Sequence, residues 1–152
     1  MNEPGTPPPT SVVLDTNIVL DLLVFSDPQC AELRTALKGG RLHWLATSAM
    51  REELLRVLHY PQLQPRLAFY RLTTVQVMAV FDALANGCPP APKAPCTCKD
   101  ADDQKFIDLA VAHQAVLLSK DKAVLAMRKR LLRLGVALDL PGGPGRSRAA
   151  CI

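Results

Sequence analysis

The chain has 152 residues, of which 49% are hydrophobic and 21% are charged, and its formal net charge is +4. These values are typical of one folded domain and exclude a disordered chain. The longest apolar stretch, residues 18–25, is much shorter than the roughly 20 residues that a membrane helix needs, so we expect no transmembrane segment and no membrane partner.

Both ends of the chain have the composition of tails. Residues 1–10 contain four Pro, and residues 141–148 contain three Gly, two Pro and two Arg. We therefore expect a flexible N-terminal tail over residues 1–10, a folded domain over 11–140 and a flexible C-terminal tail over 141–152. Because the first ten residues lack the basic and apolar regions of a secretory signal, the sequence predicts a cytoplasmic protein.

The first half of the chain alternates between short apolar runs and amphipathic helical patterns. In chain order it predicts a strand, two helices, a second strand and a third helix, over residues 11–14, 18–23, 30–38, 42–46 and 48–60. Asp15 ends the first strand, Gly39-Gly40 stops the second helix, and Ser48 is the expected N-cap of the third.

The second half continues the alternation around a break that is rich in proline. The expected elements are two helices within 63–84 broken near Thr73, an extended surface loop over 86–95, a helix around 106–111, a strand over 116–119, a helix over 121–134 and a last strand over 136–140. Short apolar strands that alternate with helices indicate a parallel sheet covered on both faces, so the fold class is α/β.

Five cysteines are present, an odd number that argues against a disulfide framework. Cys96-Thr97-Cys98 is the one spacing that suggests a metal site, and a structural zinc ion there would need two further ligands. The histidines form no second spaced pair, so the sequence favours reduced thiols over zinc, and any other role of Cys96 and Cys98 stays open.

Six acidic residues lie on the segments that follow predicted strands or at the starts of predicted helices. They are Asp15, Glu53, Asp100, Asp102, Asp103 and Asp121. Taken singly, most have an ordinary explanation, because a carboxylate at a helix N-terminus caps free N–H groups. If their segments meet at one edge of the sheet, however, the carboxylates repel one another unless a metal ion compensates. Carboxylate ligands favour Mg²⁺ or Mn²⁺, which can orient water for attack on a phosphodiester.

Four blocks of the sequence, in order along the chain, together resemble the PIN-domain ribonucleases. The similarity is greatest to the branch that acts as toxins of bacterial toxin–antitoxin pairs. The blocks are residues 12–17 (VVLDTN), 53–61 (ELLRVLHYP), 99–110 (KDADDQKFIDLA) and 118–122 (LSKDK). The resemblance implies an α/β/α sandwich around a parallel sheet, one or two Mg²⁺ or Mn²⁺ ions, and hydrolysis of RNA.

The resemblance also implies roles for individual residues. The catalytic metal ligands would be Asp15, Glu53, Asp103 and Asp121, with Asp100 as an additional acid at the rim. Asn17 would brace the loop by hydrogen bonds, and Ser119 would lie beside the metal. Arg51 and Arg56 flank Glu53 and are candidates for gripping the substrate.

Three positions depart from the family pattern, namely Lys99 in place of Arg, Ala101 in place of Pro and Lys120 in place of Gly. None of them removes an expected ligand, so they bear on the substrate more than on the chemistry. The resemblance further implies two protein partners, a cognate antitoxin and a second copy in a homodimer. The apolar helical pair within 63–84 is the expected surface for them.

Two other functional interpretations of the same residues remain open. An aspartate-dependent phosphatase and a receiver-like domain each have an Asp after the first strand. The phosphatase, however, requires a second Asp two residues later, where this chain has Asn17. A PIN domain that binds RNA without catalysis would keep its acids for helix capping alone.

Overall fold

A five-stranded parallel sheet forms the centre of the computed structural model, which describes residues 8–139. The strands are Thr10–Leu14 (β1), Leu42–Ala46 (β2), Ala85–Gly87 (β3), Val116–Leu118 (β4) and Leu138–Asp139 (β5). They lie in the order β3-β2-β1-β4-β5. Val12 of β1 is in register with Trp44 of β2 on one side and Val116 of β4 on the other, which puts β1 at the centre.

Helices connect the strands and cover the sheet. They are Thr16–Leu23 (α1), Ala31–Lys38 (α2), Ser48–Leu58 (α3), Gln64–Phe69 (α4), Thr74–Leu84 (α5), Gln104–His113 (α6), Lys122–Leu125 (α7) and Arg128–Arg133 (α8). Short 3₁₀ turns at Pro28–Cys30 and Ala101–Asp103 precede α2 and α6. Three consecutive residues of β1, Val12 to Leu14, are buried, which requires cover on both faces of the sheet. The expected α/β/α sandwich is therefore confirmed.

Polar side chains fix where several of these helices begin. The Asp15 side chain caps α1 by accepting the Ile18 N–H at 2.9 Å. Thr73 begins α5 with a reciprocal capping box to Gln76, so the predicted break near Thr73 is correct. The cap of α3 is Thr47 rather than the expected Ser48, because Thr47 takes the extended backbone conformation and accepts the Met50 N–H.

The proline-rich segment differs from the expected surface loop in two ways. Its first residues, Asn86 and Gly87, extend β3 and pair with Leu45 and Ala46 of β2. Farther on, Ala94 packs into the core, and its N–H is fixed by the Asp108 carboxylate at 2.8 Å. The segment thus contributes an edge strand and part of the core.

The last third of the chain also departs from expectation. The helix predicted over residues 121–134 is two short helices, α7 and α8, separated by a turn at Ala126-Met127. The final strand is described only over Leu138–Asp139, and the expected C-terminal tail, residues 141–152, lies outside the described residues. At the other end, β1 begins at Thr10, one residue inside the segment expected as the N-terminal tail.

Cys96 and Cys98 are buried free thiols in the loop before α6. Within residues 8–139, neither belongs to a group of three or more side chains placed to hold a metal ion, so the zinc alternative gains no support there. No helix in the same range is both long enough and apolar enough to cross a lipid bilayer.

Candidate metal centre

A cleft of about 350 Å³ opens at the carboxyl ends of β1 and β4. β2 and β3 lie on one side of β1, whereas β4 and β5 lie on the other. The strand order therefore has its topological switch point between β1 and β4. Connections leave in opposite directions at such a point and create a crevice where ligands bind in α/β folds. Asp15 follows β1 at this crevice, and Ser119 to Asp121 follow β4.

Asp15 forms the floor of the cleft and is 3% exposed. One carboxylate oxygen caps α1, and the other accepts a hydrogen bond from the hydroxyl of buried Ser119. The same hydroxyl accepts the Asp121 N–H at 3.1 Å. Burial raises the pKa of Asp15, although the bonds from Ser119 and Ile18 oppose that rise. Ser119 therefore joins two of the expected site residues, Asp15 and Asp121.

Three carboxylates meet above Asp15. Asp100, Asp103 and Asp121 each place a carboxylate oxygen within 4.8 Å of the other two. Asp100 is held by accepting the Asp102 N–H at 3.0 Å, and Asp121 by accepting the Ala123 N–H at 2.8 Å. Two of the three also act as caps, so capping and clustering occur together in the same side chains. We call these three residues the acidic group.

Asp103 is the member of the acidic group that capping does not explain. Its Oδ2 atom is buried and, among the described residues, has no hydrogen-bond partner. Burial, followed by the charges of Asp121 and Asp100, raises the pKa of Asp103 to about 7. An all-oxygen group with an unpaired, buried carboxylate atom fits the ligand preference of Mg²⁺ or Mn²⁺.

Glu53 lines the same cleft from α3 but lies outside the acidic group. Its Oε2 accepts a hydrogen bond from the Thr16 hydroxyl, and its Oε1 forms an ion pair with Lys105 at 2.5 Å. Lys105 also donates to the Asp102 carbonyl oxygen at 2.5 Å. The carboxylate of Glu53 is thus fixed between α1 and α6 by two donors, a neutral hydroxyl and a charged ammonium.

Asn17 and the two arginines do not take the places expected for them. Asn17 lines the cleft, but among the described residues its exposed side chain makes no hydrogen bond, and the neighbouring Thr16 binds Glu53 instead. Arg51 forms a bidentate ion pair with Asp82 of α5, with both N···O distances 2.8 Å, and lines a separate cavity. Arg56 is exposed and does not line the cleft.

Lys120, which departs from the family pattern, has a defined partner. Its ammonium bonds the Asp21 carboxylate of α1 at 2.5 Å, and that bond is the main reason why the pKa of Lys120 is raised. The pair joins residues 99 positions apart in the sequence. It fastens the loop between β4 and α7, which carries Ser119 and Asp121, onto α1.

Several residues of the site were not singled out from the sequence. Thr16 and Lys105 bind Glu53, while Tyr60, Gln62 and Leu63 line the outer part of the cleft. Tyr60 lies within one of the four blocks, but nothing in its spacing shows that the turn after α3 folds back over the cleft. The acids other than Glu53 were found because each follows a strand or begins a helix, whereas Glu53 lies within α3 and was found from the block that it begins.

The sequence model of a protein family, the PIN domain, matches residues 11–123, which include β1 to β4 and every acidic residue of the cleft. A search of curated proteins gave no match.

Proposed function

This chain belongs to the PIN-domain family, whose members are generally nucleases, and we propose that it is a metal-dependent endoribonuclease. The observation that carries the proposal is the acidic group with its unpaired Asp103 oxygen. Three carboxylates within 4.8 Å of one another repel, and a divalent cation relieves that repulsion.

The residues that would hold Mg²⁺ or Mn²⁺ are Asp100, Asp103 and Asp121, with Asp15 and Glu53 beside them. A divalent ion bound there would supply a polarised phosphate oxygen and a more acidic water. Ser119 holds Asp15 and the backbone of Asp121 in fixed relation, so the acids of β1 and β4 keep their spacing. Thr16 and Lys105 fix Glu53 toward the cleft, where it is placed to orient a water molecule or a ribose hydroxyl.

The geometry of Asp15 supports this chemistry over an aspartyl-phosphate mechanism. Both of its oxygens accept hydrogen bonds, and its side chain is 3% exposed. A phosphoryl acceptor needs an oxygen that phosphorus can approach in line, and the burial of Asp15 leaves little room for that approach.

The test combines RNA cleavage with metal binding. We expect purified protein to cleave a labelled single-stranded RNA in Mg²⁺ or Mn²⁺ and not in EDTA. Asp103→Asn should lower the rate at least about a hundredfold and abolish calorimetric Mn²⁺ binding, while the circular dichroism spectrum stays unchanged. Asp102→Asn is the matched control, since Asp102 lies in the same turn but does not line the cleft. Equal cleavage by wild type and Asp103→Asn would refute the proposal.

We also propose that the chain is the toxin of a toxin–antitoxin pair. The support is the resemblance of its four blocks to that branch of the family. Induced expression in a bacterial host should arrest growth with the wild type and with Asp102→Asn, but not with Asp103→Asn. Uninhibited growth with an active wild-type nuclease would separate the nuclease from the toxin and remove the second role.

The surface proposed for a homodimer or for the antitoxin is the exposed part of α4 and α5. Phe69 and Val75 are 79% and 77% exposed there, and Val80 is 43% exposed. Large apolar side chains that project from one region of a surface are typical of protein interfaces.

A further inference from the structure

The cleft has an outer end whose chemistry differs from that of the acidic group. Four apolar or aromatic side chains and two amides line it: Leu20, Val57, Tyr60 and Leu63, with Asn17 and Gln62. None of these side chains carries a negative charge, so this end lacks the carboxylates that would hold Mg²⁺ or Mn²⁺. The function proposed above leaves this end of the cleft without a role.

The change from polar to apolar side chains occurs at the same level on both walls, α1 and α3. On α3, Val57 lies four residues beyond Glu53, and on α1, Leu20 lies four residues beyond Thr16. Residues four apart share one helix face, about 6 Å apart along the axis. Because α1 packs beside α3, the two walls turn apolar together, about one helical turn outward from the carboxylates.

Tyr60 lies at this outer end on an ordered turn. Its N–H donates to the Val57 carbonyl at 3.0 Å, and its own carbonyl accepts the Leu63 N–H at 2.9 Å. The side chain is 41% exposed and, among the described residues, its ring lies against no other aromatic ring. A partly exposed aromatic ring on an ordered turn beside an anion-handling site is a feature that favours stacking of a ligand ring.

We propose that the outer end of the cleft is a base pocket, which holds one unpaired nucleobase next to the phosphate at the acidic group, with Tyr60 as the stacking face. A nucleotide combines an anionic phosphate with a planar ring one ribose away, which matches the change along the cleft walls. A cleft of about 350 Å³ lies within the range of small-ligand sites. The inference rests on the proposed function for the class of ligand.

The pocket selects for single strands before it selects for a particular base. Every base has a stacking face, whereas a base inside a duplex is already stacked and paired. The exposed amides of Asn17 and Gln62 offer both donors and acceptors to a base edge. Asn17, which was expected to brace the loop, is instead placed to contact the ligand.

The first experiment detects the base without any reaction. The chain has two tyrosines, Tyr60 and Tyr70, so labelling with 3-fluorotyrosine gives two ¹⁹F resonances, which Tyr70→Phe assigns. Tyr70 is the internal control, because it is 37% exposed but its ring lies against Phe25 and Phe69. Each of the four ribonucleoside 5′-monophosphates is titrated in Mg²⁺, and ribose 5-phosphate serves as the ligand without a base.

We expect nucleotides to shift the Tyr60 resonance with saturation and to leave that of Tyr70 in place, while ribose 5-phosphate moves neither. An unmoved Tyr60 resonance with all four nucleotides would overturn the inference, as would an equal shift with ribose 5-phosphate. This readout needs no cleavage. A Tyr60 shift in a protein that fails to cut RNA would sustain the base pocket and refute the nuclease, whereas cleavage without a shift would do the reverse.

The second experiment measures what the ring contributes to substrate binding. Tyr60→Ala should raise KM for a single-stranded RNA about tenfold with kcat nearly unchanged, because stacking is lost equally from the bound and reacting states. Tyr60→Phe, which keeps the ring, should restore the wild-type KM, and Tyr70→Ala should not alter it. A fall in kcat alone, or a failure of Tyr60→Phe to rescue, would contradict the stacking role.

Discussion

At the residue scale, the carboxylates of the acidic group differ in how well hydrogen bonds stabilise their negative charge. Asp100 and Asp121 accept backbone N–H groups, while Asp103 has one oxygen without a partner among the described residues. Helix capping therefore accounts for Asp100 and Asp121, whereas the buried charge of Asp103 lacks such stabilisation. In the metal-free protein this appears as a raised pKa, about 7 for Asp103.

The raised pKa of Asp103 predicts how the stability of the metal-free protein depends on pH. Between its unfolded and folded pKa values, the folded chain binds a proton at Asp103 that the unfolded chain has already released. The contribution of Asp103 to the free energy of unfolding is therefore fully present below the unfolded pKa of 3.8 and is lost as the pH rises to about 7. After solvent screening, we expect a loss on the order of 1 kcal/mol, or about 3 °C in Tm. Melting in EDTA between pH 4 and pH 8 measures it.

Asp103→Asn removes the titrating group and keeps the shape of the side chain. Its melting temperature in EDTA should fall less over that pH range than the wild type's, and should exceed it at pH 8. Asp102→Asn, which changes an exposed acid in the same turn, should follow the wild type. A variant curve parallel to that of the wild type would show that Asp103 is not the source of the dependence.

The acids themselves could be predicted from the sequence, but the partners that orient them could not. Thr16 and Asn17 both lie in the first turn of α1, about 100° apart around its axis. Which of them faces Glu53 depends on how α1 packs against α3. Similarly, Arg51 and Glu53 share α3, and only the position of α5 shows that Arg51 pairs with Asp82.

At the element scale, the apolar strands β1, β2 and β4 were predicted nearly to the residue, whereas β3 and the break between α7 and α8 were missed. The order of the strands was not predicted, because an apolar run indicates burial, as for Val12 to Leu14 of β1, but not which strands are neighbours. β3 could not be recognised, because its three residues, Ala85 to Gly87, have low strand propensity and are held by pairing with β2. The break between α7 and α8 carries no Gly or Pro, so the helical pattern runs through it in the sequence.

The exposed face of α4 and α5 gives a prediction at this same scale. If it joins two copies of the chain, light scattering should give twice the mass of one chain, and Phe69→Ser should weaken the dimer at least about tenfold, since buried aromatic anchors dominate interfaces. Leu132→Ser on α8 is the control, because Leu132 is also exposed, at 65%. A wild-type monomer would leave the antitoxin as the occupant to test. Equal dissociation by both variants would argue against this face.

At the scale of the whole molecule, the net charge of +4 conceals an uneven distribution. Five of the 14 acidic residues line the cleft, which leaves nine against 18 Lys and Arg in the rest of the chain, or +9. An acidic cleft in an otherwise basic chain suits the proposed polyanionic substrate, because the cations attract the strand and a metal ion in the cleft would take one phosphate.

This distribution predicts a steep dependence of RNA binding on salt. We expect the affinity for single-stranded RNA, measured by fluorescence anisotropy with Asp103→Asn to prevent cleavage, to fall about tenfold or more between 50 and 200 mM KCl. Binding of a mononucleotide to the cleft should change much less, since it meets few surface cations. An RNA affinity that is flat with salt would place recognition in the cleft alone.

The bond between Ser119 and Asp15 spans 104 positions of the sequence, and β1 is completed on one side by β4. During synthesis, β2 can pair with β1 early, but the other edge of β1 stays open until residues 116–118 have left the ribosome. The acids of β1 and β4 cannot meet before then. Ribosome-bound chains that lack β4 therefore have no complete cleft, so a competent site cannot form on the nascent chain until residues 116–121 are free to fold against β1.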